Sequence, residues 1–239
     1  MSRRIHAPHL FLGLVPLDRD EAHHLRNVLR KEPGDEIEVF DDSGKSARGS
    51  IVLHGEVVCV QIREIIEPQW KGPRITVACA IPKGDRADWL VEKLSELGAS
   101  LYIPLITDRS VVVPGGRNKI ERWNRIALES AKQCGRVLTL KIDEPRKFDE
   151  VLNNLAGPGW FFSTSPGARH AADIEQTGPA SDALTLFIGP EGDWTDEESA
   201  RATRAGLIHA SLGESILRVE TAALAGLVIA QAMFARKKP

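Results

Sequence analysis

The feature that most constrains the fold of this chain is an alternation of short apolar segments with longer amphipathic ones from residue 75 onward. Apolar runs at 75–81 and 101–106 are each followed by a helical pattern, at about 86–97 and 119–133. Further strands are predicted at 159–163, 184–188 and 208–212, and a further helix at 195–205. Strands that alternate with helices in this way are typical of βαβ units around a mainly parallel sheet. We therefore predict an α/β fold for this part of the chain.

The N-terminal part has a different pattern, in which short strands follow one another. Residues 36–40 alternate polar and apolar side chains, and strand-like segments follow at 47–53 and 56–62. A turn sequence at 41–45, rich in Asp, Ser and Gly, separates the first two. Ahead of them, residues 20–30 form a helical pattern that stops before a Pro-Gly pair. A small β-rich unit is expected here.

A segment at 67–73 separates these two patterns, because two prolines and a glycine close together discourage any regular element. Dividing the 239 residues at this point leaves two pieces of ordinary domain size. We therefore place one domain at 1–70 and a second at 71–239.

The composition excludes several classes of protein. Apolar residues make up 42% of the chain and charged residues 27%, which is ordinary for a soluble globular protein. The most apolar stretch, 222–234, is shorter than the roughly 20 residues that span a bilayer, so we predict a buried helix there. The first residues show no apolar signal segment, so a cytoplasmic location without membrane contact is expected.

The three cysteines and seven histidines do not form a metal-binding pattern. Cys59, Cys79 and Cys134 are widely spaced, so neither a disulfide framework nor a zinc site is predicted. His23-His24 is more readily explained as a helix surface. The chain contains no Gly-x-Gly-x-x-Gly motif, P-loop, nucleophile elbow or His-Glu-x-x-His motif. Dinucleotide-binding, hydrolase and metalloprotease functions are therefore disfavoured.

The formal net charge of −2 is unevenly distributed. Residues 71–145 carry 13 Lys/Arg against 9 Asp/Glu, whereas residues 1–70 and 146–239 each carry 9 against 12. A locally basic surface on an acidic protein attracts phosphates. Ordinary solvated helix faces would explain a bias of this size equally well, so charge alone does not decide the function.

One loop with unusual residues follows the apolar strand predicted at 184–188. It reads Gly-Pro-Glu-Gly at 189–192, and Thr195 and Glu198 after it are spaced as a capping box for the next helix. In open α/β sheets, ligands lie beyond the carboxyl ends of the strands, and glycines allow the backbone to approach a ligand closely. A tight strand-to-helix turn would explain the same residues.

A second unusual loop, at 212–217, leads into Arg218, Glu220 and Thr221 ahead of a small-residue, apolar helix. Charged residues at the start of a buried helix are costly unless they are paired or used in chemistry. A mutual salt bridge between Arg218 and Glu220 is one explanation, and a functional site is the other.

Together, Gly-Pro-Glu-Gly at 189–192 and Leu-Gly-x-x-Ile-Leu-Arg-x-Glu-Thr-Ala at 212–222 resemble the C-terminal signature of the RsmE family, SPOUT-class methyltransferases of uridine N3 in 16S rRNA. Segments within 24–35, 93–110 and 131–136 are similar to further motifs of that family and occur in the same order. The chain departs from the family in two places. Asp-Trp-Thr at 193–195 replaces the commoner Gly-Phe/Leu-Ser, and Lys132 stands where an acidic residue is frequent.

The resemblance implies a PUA-like, RNA-binding β-barrel at 1–70 and a SPOUT α/β methyltransferase domain with a trefoil knot at 71–239. It also implies a cytoplasmic homodimer that uses S-adenosyl-L-methionine, without a metal ion, to methylate N3 of a specific uridine in 16S rRNA of the small ribosomal subunit. Two alternatives stay open at this point. One is another SPOUT RNA methyltransferase, acting on a ribose 2′-oxygen or another base, and the other is a non-catalytic RNA-binding protein.

The same resemblance implies where the site lies, with the cofactor among loops at about 163–167, 188–192 and 212–217. The residues expected to bind the cofactor are Ile188, Gly189, Gly192, Leu212, Gly213, Ile216 and Leu217. Arg218, Glu220 and Thr221 are the expected catalytic residues. Arg218 would stabilise the uracil anion. Glu220 would either hold Arg218 in place, the favoured role, or accept the proton, for which an ordinary glutamate is a weak base. RNA docking is expected of Arg26, Arg30, Lys83, Arg86, Arg109 and Arg136.

Overall fold

The computed structural model describes residues 4–67, 72–112, 116–136, 138–174 and 183–235. The chain divides into two compact units. The N-terminal unit contains Met1–Trp70 together with Leu128–Thr139, and the second unit contains Lys71–Ala127 together with Leu140–Pro239. The sequence pattern did not indicate that 128–139 belongs with the N-terminal unit, because a helical period does not show what the helix packs against. Of the linker predicted at 67–73, residues 68–71 lie outside the described part.

The N-terminal unit is built on a five-stranded mixed sheet. Its elements are β1 (Arg4–His6), β2 (Gly13–Pro16), α1 (Arg19–His23), β3 (Glu36–Phe40), β4 (Ser46–His54) and β5 (Val57–Ile66). The strand order is β1-β3-β4-β5-β2, in which β1 and β3 are parallel and the other pairs antiparallel. The three predicted strands are confirmed as β3, β4 and β5. The pattern did not predict β1 or β2, which are too short for a period of two to be recognisable.

The predicted helix at 20–30 is confirmed, although it changes its pitch half-way. Asp18 caps the start of α1 by accepting a hydrogen bond of 2.8 Å from the backbone N–H of Glu21. The helix then continues as a π-helical turn over His24–Val28. Such turns are rare and often lie at functional sites.

Arg30 ends this helix in a left-handed backbone conformation, with a φ of 53°. Beside it the backbone N–H of Lys31 donates to the carbonyl of Leu25 at 3.1 Å, as in the motif where a glycine commonly terminates a helix. A residue with a Cβ loses about 1 kcal/mol in this conformation. The N-terminal unit therefore tolerates backbone strain at a position that carries an exposed positive charge.

The predicted turn at 41–45 is confirmed and is held by Asp41, which is buried. Its Oδ1 accepts hydrogen bonds from the backbone N–H groups of Ser43 and Lys45, at 2.9 and 3.0 Å, and from the Ser43 hydroxyl at 2.7 Å. Its Oδ2 accepts from the backbone N–H of Leu10 at 3.2 Å. Burial alone would raise the pKa of Asp41, but the hydrogen bonds outweigh it and hold the pKa below its usual value.

The second unit is built on a parallel sheet that has eight strands in the described part of the chain. Its elements are β6 (Arg74–Ala80), α2 (Arg86–Leu97), β7 (Leu101–Ile106), α3 (Arg117–Cys134), β8 (Lys141–Ile142), β9 (Arg146–Lys147), α4 (Phe148–Asn153), β10 (Gly159–Phe162), β11 (Arg169–His170), β12 (Ala183–Ile188), α5 (Asp196–Arg204), β13 (Ile208–Ser211) and α6 (Val219–Ala235). Helix α3 belongs to this unit up to Ala127, and its last residues belong to the N-terminal unit. The strand order is β11-β13-β10-β12-β6-β7-β8, and β9 also pairs with β7. The predicted α/β fold is thus confirmed, with the predicted strands and helices in place.

The loop at 163–168 crosses the end of β13. In the register of the sheet, Ala210 of β13 stands opposite both Phe162, the last residue of β10, and Arg169, the first residue of β11. Because β10 and β11 flank β13 on opposite sides, the loop that joins them passes over the carboxyl end of β13. The chain that leaves β13 toward α6 therefore starts next to this loop.

Helices cover both faces of the parallel sheet. On one face α2, α3 and α6 contribute buried side chains that include Leu90, Trp123 and Leu227. On the other face α4 and α5 contribute Phe148 and Ala202. The apolar stretch predicted as a buried helix is confirmed as most of α6. Within the described ranges, no helix has both the length and the apolar character needed to span a membrane.

Candidate active site

A cleft of about 170 Å³ opens at the carboxyl ends of β10, β12 and β13, where three loops meet. Six of the seven residues predicted to bind the cofactor line it: Ile188, Gly189, Leu212, Gly213, Ile216 and Leu217. Gly192 is not part of the lining, but its neighbours Glu191 and Asp193 are. The two glycine-bearing loops, which are separated by some twenty residues in the chain, therefore form one cleft.

Trp194 explains why the loop after β12 begins with a glycine. Its ring is buried, and Nε1 donates a hydrogen bond of 2.9 Å to the carbonyl oxygen of Phe162 at the end of β10. A Cβ on Gly189 would lie only 2.8 Å from this ring, closer than real side chains come. Packing of the indole ring is therefore enough to explain the glycine at position 189, whether or not a ligand binds.

Gly213 is required for a different reason. It has a φ of 121°, which L side chains rarely adopt, and a Cβ built on it would meet no atom within 4 Å. The backbone conformation of the turn, and not crowding, therefore selects glycine here. The same turn leaves Ile216 strongly exposed, at 85% of its maximal surface, although it also borders the cleft.

The walls of the cleft are mostly apolar, with a small number of polar atoms. Ile188, Leu212 and Leu217 supply aliphatic surface. The hydroxyl oxygen of Ser163 is buried and has no hydrogen-bond partner among the described residues. An apolar slot with few convergent polar groups is typical of a binding site for a small molecule.

Arg218 lies between two residues that line the cleft, Leu217 and Val219, and its side chain is exposed. Among the described residues no ion pair joins Arg218 to Glu220, so the structure does not show the contact by which Glu220 was expected to hold Arg218. Residues two positions apart at the start of a helix point in different directions. Glu220 is buried and pairs with Arg86 instead, whereas Thr221 is exposed in the first turn of α6.

The buried carboxylate of Glu220 also affects the surrounding groups. Burial, together with the nearby charge of Glu220, raises the pKa of the Cys79 thiol well above its usual range. Cys79 is therefore a buried, unreactive side chain. Among the described residues, no three His, Cys, Asp or Glu side chains are grouped so as to hold a metal ion.

Two domain families match the chain. An RNA methyltransferase domain matches residues 69–231, and an RNA methyltransferase PUA domain matches residues 17–53. Ribosomal RNA small subunit methyltransferase E of Synechocystis sp. is 34% identical over 216 residues, which cover 87% of this chain and 69% of that protein. The protein of the same name from Bacillus subtilis is 32% identical, covering 87% of this chain and 86% of that protein. The chain belongs to the ribosomal RNA small subunit methyltransferase E family.

A solved structure from the same family supports the fold. Ribosomal RNA small subunit methyltransferase E from Neisseria gonorrhoeae, bound to S-adenosyl methionine, superposes with a TM-score of 0.84. The two chains are 28% identical, and the match covers 98% of each. The predicted class, a PUA-like N-terminal domain followed by a SPOUT α/β domain, is therefore confirmed.

Two arginines of this family member that were predicted to bind RNA hold the cleft loops. Arg109 Nη1 donates to the carbonyl oxygens of Gly192 and Trp194, at 2.9 and 3.1 Å, and so fixes the turn after β12. Arg86 contacts Glu191 and Glu220. Whether either residue also touches RNA stays a prediction.

Lys83 completes the charged cluster at the rim of the cleft. Its Nζ lies 3.2 Å from Glu191 Oε2. The hydrogen bond from Lys83, followed by the one from Arg86, lowers the pKa of Glu191 below its usual value. The carboxylate of Glu191 is therefore charged at neutral pH and is held at the rim of the cleft by Lys83 and Arg86.

The remaining basic residues predicted to bind RNA lie in the N-terminal unit. Arg26 and Arg30 are exposed, and no ion pair or hydrogen bond of their side chains is found in the described part of the chain. Arg136 belongs to the same unit through the segment 128–139, and burial lowers the pKa of its guanidinium from the usual value. The N-terminal unit of this methyltransferase therefore carries all three.

Sequence reasoning did not single out Thr164, Asp193 or Trp194, which shape the cleft beside the predicted residues. The signal was present at 193–195, where the chain departs from the commoner family pattern. Asp193 takes a left-handed conformation with a φ of 60°, so the position suits the commoner glycine. Aspartate also adopts this conformation, and its side chain here accepts a hydrogen bond from the Thr164 hydroxyl.

Proposed function

We propose that this chain methylates N3 of a specific uridine in 16S rRNA of the small ribosomal subunit, with S-adenosyl-L-methionine as methyl donor. The observation that carries the proposal is the union of the loops at 188–193 and 212–217 in one cleft, immediately before Arg218. Membership of the family supports the same conclusion, since its relatives are named as methyltransferases of small-subunit ribosomal RNA. The Neisseria relative, bound to S-adenosyl methionine, supports the choice of methyl donor.

The cleft fits the chemistry of the methyl donor. The aliphatic side chains of Ile188, Leu212 and Leu217 would pack on the adenine, and the backbone at Gly189 and Gly213 would approach it closely. Ile216 would lie at the rim, and Gly192 would hold the turn behind the lining. The unpartnered hydroxyl of Ser163 offers a further polar contact. When bound, S-adenosylmethionine supplies a methyl group on a positively charged sulfur, an electrophile that needs no metal ion.

Arg218 would stabilise the uracil as it loses its N3 proton. In the reaction the N3–carbon bond forms while the sulfur–carbon bond breaks, and the proton on N3 leaves to a base or to water. The negative charge that develops spreads onto O2 and O4 of the ring. Arg218 is exposed, and among the described residues no acceptor occupies its guanidinium, so its fixed donors are available for those oxygens.

Thr221 and Glu220, both in the first turn of α6, would have different roles. Thr221 presents an exposed hydroxyl in the first turn of α6, three residues after Arg218 and therefore on the same side of the helix start. Glu220 is buried, and its contribution would be to fix the start of α6 and not to remove the proton. Positioning of the two reactants would supply most of the acceleration.

RNA docking would involve both units. We propose that the domain at 1–70 binds RNA through Arg26 and Arg30, together with Arg136, and that the catalytic domain at 71–239 contributes Lys83. Arg109 is less suited because protein carbonyls already engage its guanidinium. Contacts to phosphates orient a protein on RNA without choosing the base, so site selection would come from the shape of the subunit.

A homodimer working in the cytoplasm is the proposed assembly. Ile216 at the rim of the cleft and Val228 on α6 expose large apolar side chains, at 85% and 46% of their maximal surface. Exposed apolar side chains of this size are candidates for a protein interface. A second copy that covered Ile216 would also shield the cleft from water.

The deciding experiment is mass spectrometry of nucleosides from small ribosomal subunits that lack the modification, incubated with the protein and isotope-labelled S-adenosylmethionine. We expect label in N3-methyluridine. Label in a 2′-O-methylated nucleoside or in another base would assign the protein to a different SPOUT reaction. Calorimetry with S-adenosylhomocysteine separates both outcomes from a non-catalytic RNA-binding protein, which should show no binding heat.

A further inference from the structure

The guanidinium of Arg86 contacts both of the glycine-bearing loops. Nη2 lies 3.1 Å from Oε1 of Glu191, in the loop after β12. Nη1 lies 3.4 Å from Oε1 of Glu220, at the start of α6. Nε donates to the carbonyl oxygen of Lys83 at 3.3 Å, which fixes the side chain of Arg86 on its own segment. All three nitrogens of this side chain therefore have partners within the second unit.

The contact with Glu220 matters for stability because the carboxylate of Glu220 is buried. The Glu220 side chain is only 6% exposed, and its second carboxylate oxygen has no hydrogen-bond partner among the described residues. A charge taken out of water is costly unless an opposite charge lies close to it. Within the described residues, the ion pair of Glu220 is with Arg86. Without Arg86, the start of α6 would hold a buried charge that nothing compensates.

The two carboxylates that Arg86 joins belong to the walls of the cleft. Glu191 lines the cleft itself, and Glu220 stands between Val219 and Ala222, which also line it. One guanidinium thus sets the separation between the loop after β12 and the start of α6. A planar fork can donate to two carboxylates in different directions, whereas a lysine offers a single point charge.

We propose that Arg86 is a positioning residue that holds the cofactor cleft in shape, and that it is not a ligand of RNA phosphates. The proposal rests on the proposed function, because it takes the cleft as the site of S-adenosylmethionine. It replaces the expectation that Arg86 docks RNA, since a phosphate would have to displace one of two carboxylates. Arg218 keeps its direct role, and Arg86 acts only through Glu191 and Glu220.

The first test measures the affinity for S-adenosylhomocysteine by calorimetry in the wild type, Arg86→Ala and Arg86→Lys. We expect Arg86→Ala to weaken binding roughly tenfold, because one loop loses its tie and Glu220 loses its counter-charge. Arg86→Lys, which keeps the charge and can reach one carboxylate, should fall between the two. Arg122→Ala is the matched control. Arg122 also forms an ion pair with α2, through Asp88, but its side chain is exposed and does not line the cleft. Its loss should change the affinity for S-adenosylhomocysteine less than about twofold.

The second test separates cofactor from RNA by steady-state kinetics. Arg86→Ala should raise KM for S-adenosylmethionine while leaving KM for small ribosomal subunits, and its dependence on salt, as in the wild type. A phosphate ligand would show the reverse, with a raised KM for subunits and a shallower dependence on salt. That reverse result, or wild-type affinity for S-adenosylhomocysteine in Arg86→Ala, would overturn the proposal.

Two further outcomes are also decisive. If Arg86→Ala does not fold, Arg86→Lys takes its place, and wild-type affinity and KM values in that variant contradict the need for a two-carboxylate fork. If the wild-type protein itself binds no S-adenosylhomocysteine, the proposed function fails first, before any variant is compared. Failure of the function and failure of the positioning role are therefore distinguishable.

Discussion

The hydroxyl of Thr164 donates a hydrogen bond of 3.1 Å to Oδ2 of Asp193, and so joins the loop after β10 to the loop after β12. Both residues line the cleft. The other carboxylate oxygen of Asp193 accepts from the backbone N–H of Trp194 at 2.8 Å, which helps an aspartate to adopt its left-handed backbone. The side chain that departs from the commoner glycine thus connects two walls of the proposed cofactor site.

Asp193→Gly should separate backbone strain from this loop connection. The substitution relieves a conformation that costs about 1 kcal/mol, but it removes two hydrogen bonds of about 1 kcal/mol net each, so the midpoint of thermal unfolding should fall slightly. Affinity for S-adenosylhomocysteine should fall several-fold, because the two loops are no longer tied. Asp193→Asn, which keeps an acceptor and tolerates the conformation, is the control. Equal affinity in wild type and Asp193→Gly would show that the connection has no role in binding.

Arg218→Ala should lower turnover by orders of magnitude and leave the affinity for S-adenosylhomocysteine nearly unchanged. In the described part of the chain the side chain makes no contact that shapes the cleft. Its loss should therefore raise the free energy of the transition state without weakening cofactor binding. Single-turnover methylation of small subunits with saturating cofactor measures this step. A variant that retained full activity would remove Arg218 from the mechanism.

Arg30→Gly should make the N-terminal unit more stable and the enzyme poorer at binding RNA. Arg30 has a φ of 53°, and glycine would relieve about 1 kcal/mol of strain at this helix end. The same change removes an exposed charge from the proposed RNA surface, so KM for small subunits should rise and depend less on salt. Urea unfolding and steady-state kinetics measure the two effects. Loss of stability in Arg30→Gly would contradict the strain argument.

Lys132→Met should destabilise the protein by about 3 kcal/mol, because it leaves a buried carboxylate without its partner. The side chains of Lys132 and Glu21 are 7% and 6% exposed and form an ion pair within the N-terminal unit, to which Glu129 adds a second carboxylate at 3.0 Å. Replacing both partners, as in Glu21→Leu with Lys132→Met, should recover much of the loss. A single substitution without effect on urea unfolding would contradict this account.

The same ion pair predicts how stability depends on alkaline pH. Burial alone would lower the pKa of Lys132, but the carboxylates of Glu21 and Glu129 outweigh it and raise the pKa above 10.5. A raised pKa in the folded state means that the contribution is fully present below the ordinary pKa of lysine and is lost as pH rises through the folded value. The difference in unfolding free energy between wild type and Lys132→Met should therefore shrink above about pH 10.5.

Local pattern was sufficient for most of the elements of this fold. The strands and helices of the second unit follow from the spacing of apolar residues, because a period of two or of 3.6 is set by residues that are neighbours in the chain. The Thr195–Glu198 capping box was likewise visible, and it forms as predicted at the start of α5. Elements of two or three residues, such as β1, β8 and β11, were not predicted because no period can be recognised over so few positions.

The amino-acid sequence by itself determined the α/β class and the family motifs, since these depend on local spacing and residue type, and the resemblance carried by those motifs indicated six residues that line the cleft. Only the tertiary structure decided the partners. It pairs Glu220 with Arg86 instead of Arg218, turns Arg109 onto the carbonyl of Gly192, and joins Thr164 to Asp193. Charges and donors choose partners by distance in space, and residues 134 positions apart in the chain become neighbours only when the strands of the sheet are in register.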